Sequence, residues 1–157
     1  MTESFPHLTP EGDVHMVDVG AKDVTDRVAI AECVVVLSEA TAAMLFSGEL
    51  PKGDALASAR IAGIMGAKRT SDLIPLCHPI PITGLTVDIS PDQRGARITA
   101  TVKTTGKTGV EMEALTAAGV AALSLYDMVK GVERGAEITD LRLVEKSGGR
   151  SGTWSRK

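Results

Sequence analysis

From Ala114 to Tyr126 the chain runs for thirteen residues without a charged side chain, yet Glu111 and Glu113 stand just before the run and Asp127 and Lys130 just after it. Small and apolar residues of good helical propensity, in such a run, read as a helix buried on most of its circumference. Any fold for this chain must therefore wrap other elements around one long central helix. Charges at the ends of a buried helix are costly unless they are paired or hydrated in a cleft. The helix dipole accounts for two first-turn acids and a last-turn lysine. It does not account for Asp127, an acid at the negative end. A polar site cut into an apolar scaffold would account for all four, and spacing alone leaves both readings open.

At 157 residues the chain reads as a single domain over 1–157, long enough to bury a core. Within it, residues 1–14 read as a flexible leader holding Pro6, Pro10 and Gly12, and 147–157 as a Gly-, Ser- and Arg-rich tail that is mobile without ligand. Only four residues are aromatic and the net charge is −3, which argues against a nucleic-acid partner. No apolar run approaches the ~20 residues of a membrane span, so no membrane partner is expected. Cys33 and Cys77 form no CxxC and no ligand quartet; Cys33 reads as a core thiol, and reduced cysteines fit a cytoplasmic protein. No residue cluster specifies a protein-bound metal.

Arg27–Leu37, rich in Val, Ile and Ala, predicts a buried strand. Ser38 caps a short helix over Glu39–Phe46 that Gly48 ends. After a Pro51–Gly53 turn, Asp54 caps a helix reaching about Arg69, with one further turn over Thr70–Ile74. Pro75, Pro79 and Pro81 make the next segment irregular and stiff. Leu85–Ile89 and Ala96–Thr104 alternate as two strands of a hairpin around a Pro91–Gly95 turn. A glycine-containing loop over 105–109 leads into the long helix, Glu111 to about Val132, and Glu137–Glu145 is a last strand. Strand, helices, hairpin, helix, strand is the split βαβ order of an α+β, ferredoxin-like fold, an antiparallel sheet covered on one face by helices.

The long helix carries two apolar stripes, one through Leu115, Ala118, Gly119, Ala122, Leu123 and Tyr126, the other through Ala117, Ala121, Leu125 and Met128. One can pack on the sheet. The other requires the 54–69 helix or a second chain, so a homo-oligomer is expected. Glu113 and Asp127 are about 21 Å apart along a straight helix, too far for one centre to use both ends. If both act, they span a long substrate or complete sites shared with a neighbouring subunit.

Among candidate chemical groups, Thr105-Gly106-Lys107-Thr108 lacks the glycine that a Walker A motif needs at Thr101. A loop of this kind at a helix N-terminus can still accept an anion, or be an ordinary turn. Cys77 and His78 are adjacent, so their side chains diverge and a nucleophile pair is not expected. His78 reads as a rigidly held hydrogen-bonding or proton-transfer group, or as a structural histidine. His7 and His15 lie in or beside the leader, so a histidine-rich metal cluster would need unlikely contacts. Lys52, Lys68, Arg69, Lys130 and Lys146 flank the inferred cleft. Lys52, in a tight turn, and Lys130, three residues past Asp127, are the strongest candidates for proton transfer.

Several of these segments occur together in one family. Lys52-Gly53-Asp54, Ala59–Met65, Lys68–Ser71, Leu73–Pro79, Thr108–Thr116, Tyr126–Lys130, Glu145–Gly149 and the early Met16–Val19 resemble the molybdenum cofactor biosynthesis protein C family, the cyclic pyranopterin monophosphate synthases, over about Leu8 to Trp154. The resemblance implies a lyase that rearranges (8S)-3′,8-cyclo-7,8-dihydroguanosine 5′-triphosphate, supplied by a radical-SAM enzyme, to cyclic pyranopterin monophosphate with release of pyrophosphate. It implies a homo-hexamer, a trimer of dimers, with active sites at the dimer interface. Carried over by position, Lys52, Asp127 and Lys130 match catalytic residues. Leu76, Cys77, His78, Met112 and Glu113 match substrate-binding segments, and Glu111, Arg27, Lys68 and Lys146 match further pocket positions. No tightly bound cofactor is implied, although Mg2+ could accompany the substrate triphosphate.

Two other classes compete. A ferredoxin-like nucleotide-sensing module would explain the glycine loop and the oligomer without needing Asp127 and Lys130. An RNA-binding module of the same fold would need aromatic residues on the hairpin strands, which have none.

Overall fold

The computed structural model describes residues 7–157. The elements are β1 (Thr25–Val36), α1 (Glu39–Ser47), α2 (Ala55–Lys68), α3 (Thr70–Leu73), β2 (Gly84–Asp92), β3 (Gly95–Gly106), α4 (Glu111–Val129), β4 (Glu137–Ser147) and β5 (Trp154–Ser155). The sheet runs β2-β3-β1-β4-β5 with antiparallel neighbours, the ferredoxin-like arrangement with one short strand added at the edge. The caps form as local chemistry dictates. Ser38 Oγ accepts from the Thr41 amide, and Asp54 Oδ1 accepts from the Ala57 amide.

Alternation along β1 and β3 sends Ala29, Ala31, Cys33 and Val35, with Ala96, Ile98, Ala100 and Val102, to the helix side, where they form the core. Their small size lets α4 come close. Cys33 Sγ donates to the Ala118 carbonyl at 3.4 Å, and burial pushes the thiol pKa up to about 12, so this cysteine is an inert core group. The second stripe of α4 packs on α2 through glycine. A Cβ at Gly63 would lie 2.8 Å from the Ala117 carbonyl and 3.1 Å from Ala121 Cβ.

The first stripe divides. Ala118 and Ala122 are buried, whereas Leu123 is 62% exposed. Leu115, Gly119 and Leu123 line an open apolar groove with Ile138 and Leu141 of β4. By length and mean hydropathy α4 could cross a membrane, but it is packed between α2 and the sheet and carries charge at both ends.

The opposite sheet face mixes apolar and charged residues: Val28, Ile30, Val34 and Val36 of β1 lie there, with Val34 fully buried, beside one ionic network. Glu32 lies between Arg97 and Arg142, at 2.8 and 2.7 Å, and Arg97 also holds Asp92 at 2.6 Å. Burial pushes the Glu32 carboxyl up, but the two guanidinium groups outweigh it and hold the group below its ordinary range.

Three boundaries differ from the sequence reading. The β2–β3 connection is a two-residue Gln93-Arg94 turn, because Pro91 and Asp92 stay paired with Ala96 and Gly95. Pro91 is tolerated there because β2 is an edge strand. Helix α4 stops at Val129, three residues early, where Lys130 becomes its C-cap. Beyond Gly149, the tail expected to be mobile carries β5, paired with Glu145 and Lys146. Of the expected 1–14 leader, residues 1–6 lie outside the described part; the remainder makes a small loop closed by a Leu8–Val14 bridge.

Candidate active site

Two polar clusters form, one at each end of α4. At its C-terminal end, Asp127 is gripped by two lysines. Lys130 Nζ lies 2.6 Å from Asp127 Oδ1, and Lys52 Nζ lies 3.1 Å from Oδ2 and 2.7 Å from the Asp127 carbonyl. The i,i+3 spacing on α4 presents Lys130, and the turn before α2 delivers Lys52. All three side chains are roughly half exposed. Hydrogen bonds from Lys130 and then Lys52 hold the Asp127 carboxyl below its ordinary range, and Asp127 in return pushes Lys130 up. Lys130 therefore rests as a cation, able to donate a proton or to neutralise an anion.

At the N-terminal end, a cavity of about 420 Å³ is lined by Leu76, Cys77 and His78 from the proline-stiffened segment, Thr108 and Gly109 from the loop, and Glu111, Met112 and Glu113 from α4. Its remaining wall is His7, Val17, Val19, Lys22 and Ile80. Glu113 is only 3% exposed. Burial raises its pKa, its own backbone amide partly offsets this, and the charge of Glu111 adds to the rise. Cys77 is also raised, first by burial and then by Glu113, so it is a poor thiolate. Lys146 reaches across from β4 to Glu111 at 3.0 Å.

The remaining predicted residues divide. Arg27 donates from Nε to the Gly106 carbonyl at 3.0 Å and from Nη2 to the Lys107 carbonyl at 3.1 Å, clamping the loop that enters α4. Lys68 closes α2 as an exposed last-turn cation and joins neither cluster's hydrogen bonds. Thus Leu76, Cys77, His78, Met112, Glu113, Glu111 and Lys146 gather at one end of α4, and Lys52, Asp127 and Lys130 at the other. The ~21 Å between Glu113 and Asp127 along the helix keeps the clusters apart within one chain.

Sequence reasoning gave His7 no part in the site and passed over Lys22. Both enter the cavity wall because the segment before β1 folds back: His15 N donates to the His7 carbonyl at 3.0 Å, and Lys107 Nζ donates to the Gly20 carbonyl at 2.5 Å. The only sequence signal for this was the early Met16–Val19 segment. Among the described residues, no three of His, Cys, Asp and Glu converge as metal ligands.

Residues 16–149 match the family model described as "MoaC family". A cyclic pyranopterin monophosphate synthase of Dinoroseobacter shibae is 59% identical over 148 residues, covering 93% of this chain and 94% of its own length. One from Streptomyces avermitilis is 58% identical over 154 residues, covering 98% and 91% respectively. Cyclic pyranopterin monophosphate synthase 2 of Mycobacterium tuberculosis is 56% identical over 151 residues, covering 96% and 90%. With the family model spanning most of the sequence and the relatives aligned nearly end to end, the chain belongs to the MoaC family.

Proposed function

We propose that the protein is a cyclic pyranopterin monophosphate synthase, a lyase of molybdenum cofactor biosynthesis. It would convert (8S)-3′,8-cyclo-7,8-dihydroguanosine 5′-triphosphate to cyclic pyranopterin monophosphate and pyrophosphate. The observation that carries this reading is the full-length relationship to synthases of that name, together with two clusters whose chemistry suits the reaction. In the N-terminal cavity, a buried carboxylate at Glu113 suits the N–H groups of a guanine ring, which pair strongly with an ionised acceptor. At the other end, opening and closing rings requires proton transfers. Lys52 and Lys130 would relay them as donor and acceptor, Lys130 entering as the donor because Asp127 holds it as a cation, with Asp127 orienting both. Closing the cyclic phosphate expels pyrophosphate, whose charge lysines neutralise. The substrate's triphosphate would bring any Mg2+ with it.

The reading needs both clusters in one centre, and hence a second subunit. The open groove of about 390 Å³ along α4 is the surface for it, and Met112 lines both this groove and the cavity. Val120, midway between Glu113 and Asp127, also lines the groove. Two α4 helices crossing antiparallel there would bring Glu113 opposite Asp127 of the partner subunit, twice, as a two-fold axis requires. Three such dimers would form the hexamer. The protein would act in the cytoplasm, in keeping with its two free thiols.

The direct test is incubation with the cyclised GTP intermediate, followed by assay of pyrophosphate and of the pterin product. Both should appear in equal amounts. Binding of the intermediate with no pyrophosphate release would favour the sensing module.

A further inference from the structure

Strand β4 contains an irregularity that decides where one site residue points. Along β1, Ile30 pairs with Glu145 and the next residue, Ala31, pairs with Leu143, so Val144 is an extra residue with no partner on β1. Leu143 and Lys146 are three apart, and in a regular strand they would face opposite sides of the sheet. The bulge reverses that parity. Leu143 packs on the core, and Lys146, paired with Ala29, turns to the same side and meets Glu111 on α4 at 3.0 Å. Without the extra residue the Lys146 ammonium would project from the far face.

The bulge leaves backbone groups of β4 to be satisfied from its other edge, and one tail residue does this. Arg156 N donates to the Val144 carbonyl at 2.8 Å, and Arg156 Nε donates to the Leu143 carbonyl at 2.8 Å. Its guanidinium also lies 5.6 Å from the centroid of the Trp154 ring, while Trp154 pairs with Lys146 itself. Trp154 and Arg156 lie beyond the 16–149 span of the family model.

We propose that Arg156 is a positioning residue for the substrate cavity: it fastens the Val144 bulge and so directs Lys146 onto Glu111 at the cavity wall. The role in catalysis rests on the synthase reading above; the fastening itself does not. Arg156→Pro removes the backbone donor, the Nε donor and the cation over Trp154 together, and Ser155, already extended, tolerates a following proline. Arg156→Lys keeps the backbone donor and the cation.

Steady-state kinetics on the cyclised GTP intermediate should show KM raised about tenfold in Arg156→Pro, with kcat within about twofold and Arg156→Lys close to the unmodified protein. In a Lys146→Ala background, Arg156→Pro should add nothing further. An unchanged KM, or a loss that adds in full to that of Lys146→Ala, overturns the proposal. Amide exchange over Glu145–Ser147, measured without substrate, should accelerate in Arg156→Pro and not in Arg156→Lys; equal exchange in all three overturns the fastening. An unmodified protein that releases no pyrophosphate would defeat the synthase reading alone, and the exchange measurement would still judge the bulge.

Discussion

Lys52 donates to both the carbonyl and the carboxylate of Asp127, at 2.7 and 3.1 Å, across 75 residues of sequence. These two bonds tie the turn before α2 to the last turn of α4. Because the groups are half exposed, solvent screens them and their contribution to stability is small. That separates chemistry from folding at this cluster and makes it a clean target for substitution.

Lys52→Ala and Lys130→Ala should each lower kcat by about a hundredfold or more while leaving the melting temperature nearly unchanged. Asp127→Asn should do something different. Asp127 is what pushes Lys130 up, so its neutralisation lets Lys130 lose its proton at lower pH. The alkaline limb of the pH–rate profile should move to lower pH in that variant. A limb that stays in place would remove Lys130 from the titrating step.

Glu113 should trade stability for function. Its folded-state pKa is raised, so the folded protein binds the proton more tightly than the unfolded chain does. The associated stability is fully present below the ordinary carboxylate range and is lost as pH rises through the raised value. Glu113→Gln, which cannot ionise, should therefore be more stable than the parent at neutral pH, and the difference should vanish in acid. The same variant should bind the guanine-derived substrate more weakly. Denaturant titrations at several pH values, beside KM measurements, check both halves.

The strands, both capped helices and the α4 core were legible because each rests on local chemistry. Ser38 and Asp54 cap where capping residues stand, and Arg27–Leu37 is the Val-, Ile- and Ala-rich run of a buried strand, with Cys33, Val34 and Val35 all fully buried. What escaped depends on contacts distant in sequence. Val144 is apolar like Leu143 before it, so composition does not reveal which of the two is extra; only pairing with β1 and Arg156 fixes that. His7 and Lys22 reach the cavity because Lys107 holds the Gly20 carbonyl, a bond over 87 residues. The two lysines around Asp127 were half legible. The i,i+3 partner Lys130 could be read from spacing, whereas Lys52 arrives from another element.

Gly63→Ala should destabilise the fold although alanine is the better helix former. Propensity favours the change by about 0.5–1 kcal/mol. Against it, the new methyl would stand 2.8 Å from the Ala117 carbonyl, a backbone atom that cannot rotate away. Overpacking of this kind costs about 1–3 kcal/mol, so a net loss of about 1–2 kcal/mol is expected in urea titrations. The displaced α2 also carries the turn that holds Lys52, so turnover should fall with stability. A variant as stable as the parent would mean that α2 and α4 can separate freely.

The shared-site arrangement makes a prediction that no single-chain site can satisfy. If Glu113 of one subunit works with Asp127 of its partner, Glu113→Ala and Asp127→Ala proteins are each inactive as pure preparations. In a mixed dimer one site collects both defects and the other collects neither. Random re-association of equal amounts makes half of the dimers mixed, each with one intact site of two, so roughly a quarter of full activity should return. A glutamate or arginine at Leu123, which is 62% exposed in the groove, should block that recovery by keeping subunits apart, with the change in mass visible in sedimentation. If the mixture stays inactive although the subunits demonstrably exchange, the two ends of α4 serve separate purposes within one chain. The long uncharged helix would then be a spacer, not the axis of a shared centre.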